Sequence, residues 1–578
     1  MNAHQTLTQA LAHFDQQDYA AAEAALFGLL QTQPDNKDAL HLLGSVAAAQ
    51  GRFEEAALAW QQALRRVQPD SQEALALRYR LGRAFYEQGQ FEDAFLLYRD
   101  LIEAGHVQPE FFVAAAAALQ GMSPSGKNDV QAMALLDEAL QLNPDVPGTW
   151  HRKALLQERA GQWEAARTSI HNALRLNDQE AQYWLAAGLV EHALGEFEQA
   201  LRYYDQALIL APDLVDAHVS RGTSLARLRD HDEAIDSYRR ALRLDDGEAD
   251  ARINLALSLL VLGRLEEAWP LYEWRWEGRD ADPYRHAAIP AWNGASSLTG
   301  KRILLWSEQG HGDTIQFSRY VQQIVVAGAQ VVLEVPVSLL QLMQSLPDAA
   351  RLQLVAMGDP LPEVDFQLPL MSLPLICNTG RDSIPAPIPY LAAEPGKRSV
   401  WTQRIDAMAP RLPGGMRVAV VCSGNRGNVN DVRRSIALSR FASLAAARTG
   451  LELFVVQPDL QDEDARWLQQ QERRQWHWLG ADIVDFSDTA AALSCMDLVI
   501  SVDTAAAHLS GAMGLPVWIA LPYAPDWRWF LNQSSSPWYP QARLFRQQQP
   551  GGWDDVIATL RAALAVAQLP SPMPSPSP

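Results

Sequence analysis

Cysteine is nearly absent. The 578 residues hold three, Cys377, Cys422 and Cys495, widely separated and without metal-ligand spacing, which excludes a disulfide framework and a structural zinc site. No apolar run approaches the roughly 20 residues needed to cross a bilayer. Met1 to Thr6 lack the basic and apolar regions of a signal peptide. Positive charge is also in deficit. Lys and Arg number 48 against 68 Asp and Glu, for a net charge of −20, and the pI is about 5.1. Broad binding to nucleic-acid backbone or to an anionic membrane surface is therefore excluded. A cytoplasmic protein without a membrane span and without a nucleic-acid partner is expected. What is present is the composition of a folded chain, 48% hydrophobic and 20% charged, long enough for several domains.

The first half repeats. Ala154, Gly188, Gly222 and Ala256 lie 34 residues apart, as do Ala166, Ala200, Ala234 and Ala268. Large residues recur at Ile170, Tyr204, Tyr238 and Tyr272, and Pro34, Pro144 and Pro212 end units. Each unit reads as two antiparallel helices, with small residues allowing close approach and aromatic residues filling gaps to the next unit. Looser units surround Gly44 and Trp60, and Gly82 and Tyr98. The segment from Gln108 to Lys127 departs most. Isolated histidines such as His192, His218 and His231 read as ordinary helix residues. This half resembles the tetratricopeptide repeat in period and residue class, and implies about eight units over residues 1–277. Such an array forms a solenoid with a concave surface for a peptide or protein partner, or else serves only as a spacer or dimer contact.

After Trp276 the period stops, and residues 278–300 read as a Pro-, Gly- and Trp-rich connector. Short apolar runs then alternate with helical patterns. Strands are expected at Ile303–Trp306, Val331–Val335, Leu352–Val355 and Val364–Pro369, with helices at about Thr314–Ala327 and Val337–Ser345. A Pro-rich passage from Ile384 to Pro395 reads as a hinge. Alternation resumes with strands at Arg417–Cys422, Leu451–Val456, near Ile483–Val484, Leu498–Ser501 and Val517–Ala520. A helix at about Asp554–Val566 closes the fold, before a disordered tail, 569–578. The pattern predicts two doubly wound α/β domains, 301–395 and 396–568, facing a cleft at the carboxyl ends of their strands.

Two corners carry chemistry. Glu308-Gln309-Gly310-His311-Gly312-Asp313-Thr314 follows the first strand. It is not a dinucleotide fingerprint, because Ile315 stands at the third glycine position. Its glycines would let backbone approach a ligand and leave Asp313 at a helix start, facing the cleft or simply capping the helix. Ser501-Val502-Asp503-Thr504-Ala505 places Asp503 and Thr504 at a second helix start. They either cap it or bind an anion there.

Further motifs are Ser423-Gly424-Asn425, Asn430-Asp431 with Arg434-Ser435-Ile436, Ala505 to Leu509, and Leu521-Pro522-Tyr523-Ala524-Pro525-Asp526-Trp527-Arg528-Trp529 with Ser536 to Pro540. On these, residues 301 to about 550 resemble the lipopolysaccharide heptosyltransferase family of the GT-B fold. They resemble still more the C-terminal half of bacterial tetratricopeptide-repeat glycosyltransferases. The domain order is similar to that of protein O-GlcNAc transferases and flagellin glycosyltransferases.

The resemblance implies an inverting, metal-independent glycosyltransferase, with a nucleotide-sugar as substrate rather than cofactor. Asp313 matches the general base. Asp503 matches the residue that holds the donor sugar, and Thr504 and Ala505 the phosphate contacts. Gly310, Gly312, Thr314, Gln316, Ser423, Asn425, Gln457 and His508 fall at donor-binding positions, and Arg433 or Arg434 would stabilise the leaving group. Departures stand at Cys422 (usually Trp), Asn428 (His), Val432 (Arg) and Pro458 (Lys). A protein hydroxyl, with flagellin a candidate, is the expected acceptor, recruited by the repeats. The alternatives are transfer to a lipopolysaccharide precursor and a non-catalytic scaffold with a vestigial GT-B half.

Overall fold

The computed structural model describes residues 3–123, 125–279, 281–385, 388–424, 427, 431–471 and 475–568. Two compact units emerge, Met1–Arg221 and Gly222–Pro578. The second begins before the 34-residue period ends, because the last repeat helices pack with the sheets that follow.

In the first unit, helices from Ala3–Asp15 to Phe197–Leu210 pack sequentially on their neighbours. The seam is made of alanine: Ala22, Ala56, Ala94, Ala132, Ala166 and Ala200 are all 0% exposed. A glycine in the first helix of a unit meets an aromatic ring in its second helix. A Cβ on Gly188 would lie 2.3 Å from Tyr204, one on Gly44 2.4 Å from Trp60, and one on Gly82 2.7 Å from Tyr98. These rings therefore fill the seam inside a unit, not only the gap to the next one that the spacing suggests. The turn between paired helices carries a left-handed residue, Gly51, Gly89, Gly161 and Gly195 having φ of 75°, 75°, 69° and 87°.

In the second unit, helices His231–Leu244, Ala249–Val261 and Leu265–Tyr272 continue the repeat pattern. Two sheets follow. The first holds β1 (Arg302–Trp306), β2 (Gln330–Val335), β3 (Leu352–Ala356) and β4 (Phe366–Pro369) in the order β3-β2-β1-β4. The second holds β5 (Met416–Val421), β6 (Leu451–Val455), β7 (Trp476–Trp478), β8 (Leu498–Val502), β9 (Val517–Leu521) and β10 (Ala542–Arg546) in the order β10-β9-β8-β5-β6-β7. All strand pairs are parallel, with Ile303 opposite Val331 and Val418 opposite Leu498. Both β5 and β8 are buried along their whole length, as helix-covered parallel sheets require. Val556, Ile557 and Leu560 of the helix Trp553–Ala565 complete the core of the second sheet.

Three expectations change. No strand forms at Ile483–Val484: Val484 is 87% exposed, and β7 forms earlier, where Trp476 is buried against β6. The helix expected at Thr314–Ala327 starts at His311, ends at Phe317, and resumes at Val321–Val326 after a tighter turn. Finally, β10 is a strand that the apolar pattern does not reveal. The connector adds a bridge beside β4, where Trp292 N–H donates to Gln367 O at 3.0 Å. The interdomain passage is anchored where Tyr390 N–H donates to Ala512 O at 3.0 Å. Asn425, Asn428 and the tail 569–578 lie outside the described residues. Among the described residues no helix is long and apolar enough to cross a membrane.

Candidate functional site

Strand order reverses between β1 and β4 in the first sheet and between β5 and β8 in the second. Ligands of open parallel sheets bind at such switch points, outside the carboxyl ends of the strands. The Gly310–Asp313 corner leaves β1 and the Asp503–Thr504 corner leaves β8, so both motifs stand at these positions.

Helix His311–Phe317 packs directly on helix Ala505–Ala512. A Cβ on Gly312 would lie 2.9 Å from His508 Cδ2 and 3.5 Å from Ala505 Cα. The sequence suggests a glycine that admits a ligand, but its missing side chain admits the facing helix instead. His508 stacks on Trp529 at 5.2 Å and shares a hydrogen bond of 3.0 Å between Nδ1 and Tyr539 Oη. Burial first, then Arg528 and other nearby guanidinium groups, push its pKa well below the usual value. It is a neutral packing residue.

Asp313 is half-buried and oriented from two sides. Gly310 N–H donates to Oδ2 at 2.8 Å, and Arg528 Nη2 pairs with Oδ1. Burial raises its pKa while Arg528 and the Gly310 N–H oppose the rise. Arg528 also donates from Nε to Gln316 Oε1 at 2.6 Å and from Nη1 to Asp526 Oδ1 at 2.9 Å. Gln316 is thus the brace of an arginine, and Thr314, 1% exposed, is a packing residue. Phe530, two residues beyond Arg528, adopts φ 53°, ψ −175°, a strained conformation for a side chain of this size.

A cavity of about 290 Å³ opens beside the second switch point. Its lining includes Asp503, Arg433, Arg434 and Asp526, with Pro522 and Trp527, and Arg227, His231, Tyr238 and Asn254 of the repeat helices. Asp313, Thr314, Gln316 and His508 are not among its lining residues. Asp503, 7% exposed, has its pKa raised from 3.8 to about 6, by burial first and then by Asp526. Thr504 occupies the N-cap position but makes no side-chain cap. Its hydroxyl instead meets Ser501 Oγ at 3.1 Å, so the first N–H groups of helix Ala505–Ala512 have no side-chain acceptor from the cap.

Behind the β5 corner, Asp431 accepts from Gly424 N–H at 3.1 Å, Arg434 Nε at 3.1 Å and Ser435 Oγ at 3.0 Å, which orients Arg434. Gln457 Oε1 accepts from Cys422 and Ser423 N–H, both at 3.2 Å, and its Nε2 donates to Ser423 Oγ. Gln457 and Ser423 thus shape the loop, and Cys422 is a core residue, 0% exposed.

Arg528 and Asp526 are visible in the sequence only as parts of a motif. Arg227 and His231 carry no signal there, His231 reading as an ordinary helix residue.

The sequence model of the tetratricopeptide repeat matches residues 7–72, 43–109, 151–215 and 219–283. These segments are tetratricopeptide repeats. Protein FlbA of Caulobacter vibrioides is 25% identical over 334 residues, covering 53% of this chain and 53% of FlbA. The chain therefore spans about half the length of this curated relative. A tetratricopeptide repeat protein from Parabacteroides merdae is 15% identical, with a TM-score of 0.36, over 44% of this chain and 98% of its own. A thermophilic repeat protein from Thermus thermophilus is 23% identical, with a TM-score of 0.28, over 33% of this chain and 98% of its own. Tetratricopeptide repeats typically mediate protein interactions.

Proposed function

We propose that the second unit is a metal-independent glycosyltransferase of the GT-B type, that it moves a sugar from a nucleotide-sugar to a protein hydroxyl, and that the repeats recruit the acceptor, with flagellin a candidate. One observation carries the reading. The two corners stand at the switch points of two parallel sheets, and the helices that follow them meet face to face. In this reading the acceptor hydroxyl oxygen attacks the anomeric carbon, its proton passes to Asp313, and the bond to the departing phosphate oxygen breaks with inversion. Asp313 accepts two hydrogen bonds, but each carboxylate oxygen has a second lone pair, so orientation does not exhaust its basicity. Burial, which raises its proton affinity, favours the role. Arg433, Arg434 and the uncapped N–H groups of helix Ala505–Ala512 would stabilise the phosphate charge that develops.

Asp313→Asn tests the assignment, because it removes the base at almost constant volume. Mass spectrometry of flagellin and of proteins that co-purify with the chain, from cells carrying each form, is expected to show sugar adducts with the wild type and a loss of about 100-fold or more with the variant. Undiminished adducts in the variant would exclude Asp313 as base. The pairing of Asp313 with Arg528 is the observation that favours a second reading, a non-catalytic scaffold in which the aspartate only joins the two sheets. Absence of adducts from wild-type cells would support it.

A further inference from the structure

The cavity beside Asp503 is walled by repeat helices as well as by the second sheet. Arg227 and Arg433 line it together. No carboxylate pairs with Arg227 among the described residues, and burial, with Arg433 as a like charge nearby, lowers its pKa to about 10. Of the two acidic groups of the cavity, Asp526 is held by Arg528 at 2.9 Å, and Asp503 faces Arg434 and Arg528 rather than Arg227. His231 is 8% exposed, lines the same cavity, and has an Nδ1 without a hydrogen-bond partner among the described residues. Buried polar groups are ordinarily paired, and two neighbouring guanidinium groups in a chain of net charge −20 repel unless an anion lies between them. The same lining includes Arg434, already oriented by Asp431, at the end of a parallel sheet where phosphates bind.

We infer that the last repeats complete a diphosphate-binding cavity, in which Arg227 and His231 reach across to the phosphates of a nucleoside diphosphate held by Arg433 and Arg434. This rests on the proposed donor chemistry but adds to it. The repeat array contributes a wall of the donor site itself, and does more than recruit an acceptor. Pro522 and Trp527, also in the lining, provide an apolar surface beside the phosphates for the base or the sugar.

Calorimetry on the full chain tests it, with inorganic pyrophosphate, ADP, GDP, UDP and CDP as probes. The wild type is expected to bind pyrophosphate and at least one nucleoside diphosphate. Arg227→Met, which keeps the apolar stem, is expected to weaken both by about 10- to 100-fold, and His231→Ala to weaken them less. Thermal unfolding of each variant establishes that it is folded. The control is Arg404→Met, on a helix outside the cavity lining, which should bind as the wild type does. Wild-type affinity in a folded Arg227→Met, or no diphosphate binding by the wild type, overturns the inference. Sugar transfer measured in parallel separates the two claims. Transfer with Arg227-independent diphosphate binding sinks only this inference, whereas Arg227-dependent binding without transfer sinks only the proposed activity.

Discussion

Replacing Asp503 by Asn should stabilise the unliganded protein at neutral pH. The carboxyl is 7% exposed, faces Asp526, His508, Arg434 and Arg528, and has its pKa raised from 3.8 to about 6, by burial first and Asp526 second. A raised carboxyl pKa means that the folded state holds the proton more tightly than the unfolded chain. Stability from this group is therefore full below about pH 4, falls as pH rises through about 6, and is lost above it. A shift of about 2 units corresponds to about 3 kcal/mol. Asn carries no ionisable proton and keeps the volume, so Asp503→Asn should exceed the wild type by about 3 kcal/mol at about pH 7.5, with the difference closing toward about pH 4. Urea unfolding of the full chain from about pH 4 to about pH 8, following the tryptophan transition of the second unit, measures both stabilities. A variant less stable than the wild type at neutral pH, or a difference that does not shrink on acidification, would refute the reasoning.

Other substitutions probe the contacts that build the site. Gly312→Ala places a methyl 2.9 Å from His508 Cδ2, whose ring is held by Trp529 and Tyr539. A loss of about 1–3 kcal/mol is expected in chemical denaturation, and an unchanged midpoint would show that the helices can separate freely. Arg275→Met leaves the buried Glu308 carboxylate without the guanidinium that donates to it at 2.7 and 2.9 Å. It should cost about 3–5 kcal/mol, whereas the double variant with Glu308→Leu should recover most of that loss, and no recovery would argue against the ion pair as the cause. Gly188→Ala in the first unit should lower that unit's melting temperature, because the added Cβ would lie 2.3 Å from Tyr204. Circular dichroism of the full chain during heating would register the change.

The repeat half was legible because its contacts are local. Each unit packs on the next in sequence, so a 34-residue spacing of Ala and Gly maps directly onto the buried seam. The strands were legible for a related reason. Parallel strands covered on both faces are continuous apolar runs, as in β5 and β8. β7 and β10 escaped because a three-residue strand and an edge strand containing Arg543 lack such a run. The corners at Asp313 and Asp503 stood out as polar breaks between a strand and a helix, but their spacing did not distinguish a residue that touches a ligand from one that supports another. Thr314, Gln316 and His508 lie outside the cavity lining, where Gln316 accepts from Arg528 and His508 meets Tyr539.

By itself, then, the chain determined which segments become repeats and strands, and which polar corners end up at the carboxyl ends of parallel sheets, since those follow from periodicity and from burial along one element. Only the tertiary structure decided that Arg528 joins Asp313 to Asp526 across 215 and 2 residues of sequence separation, and that Arg227 and His231 share a cavity with Asp503. Those partnerships depend on charges that must find counter-charges once burial removes water. The partner is chosen by proximity in the folded unit, which no local pattern records.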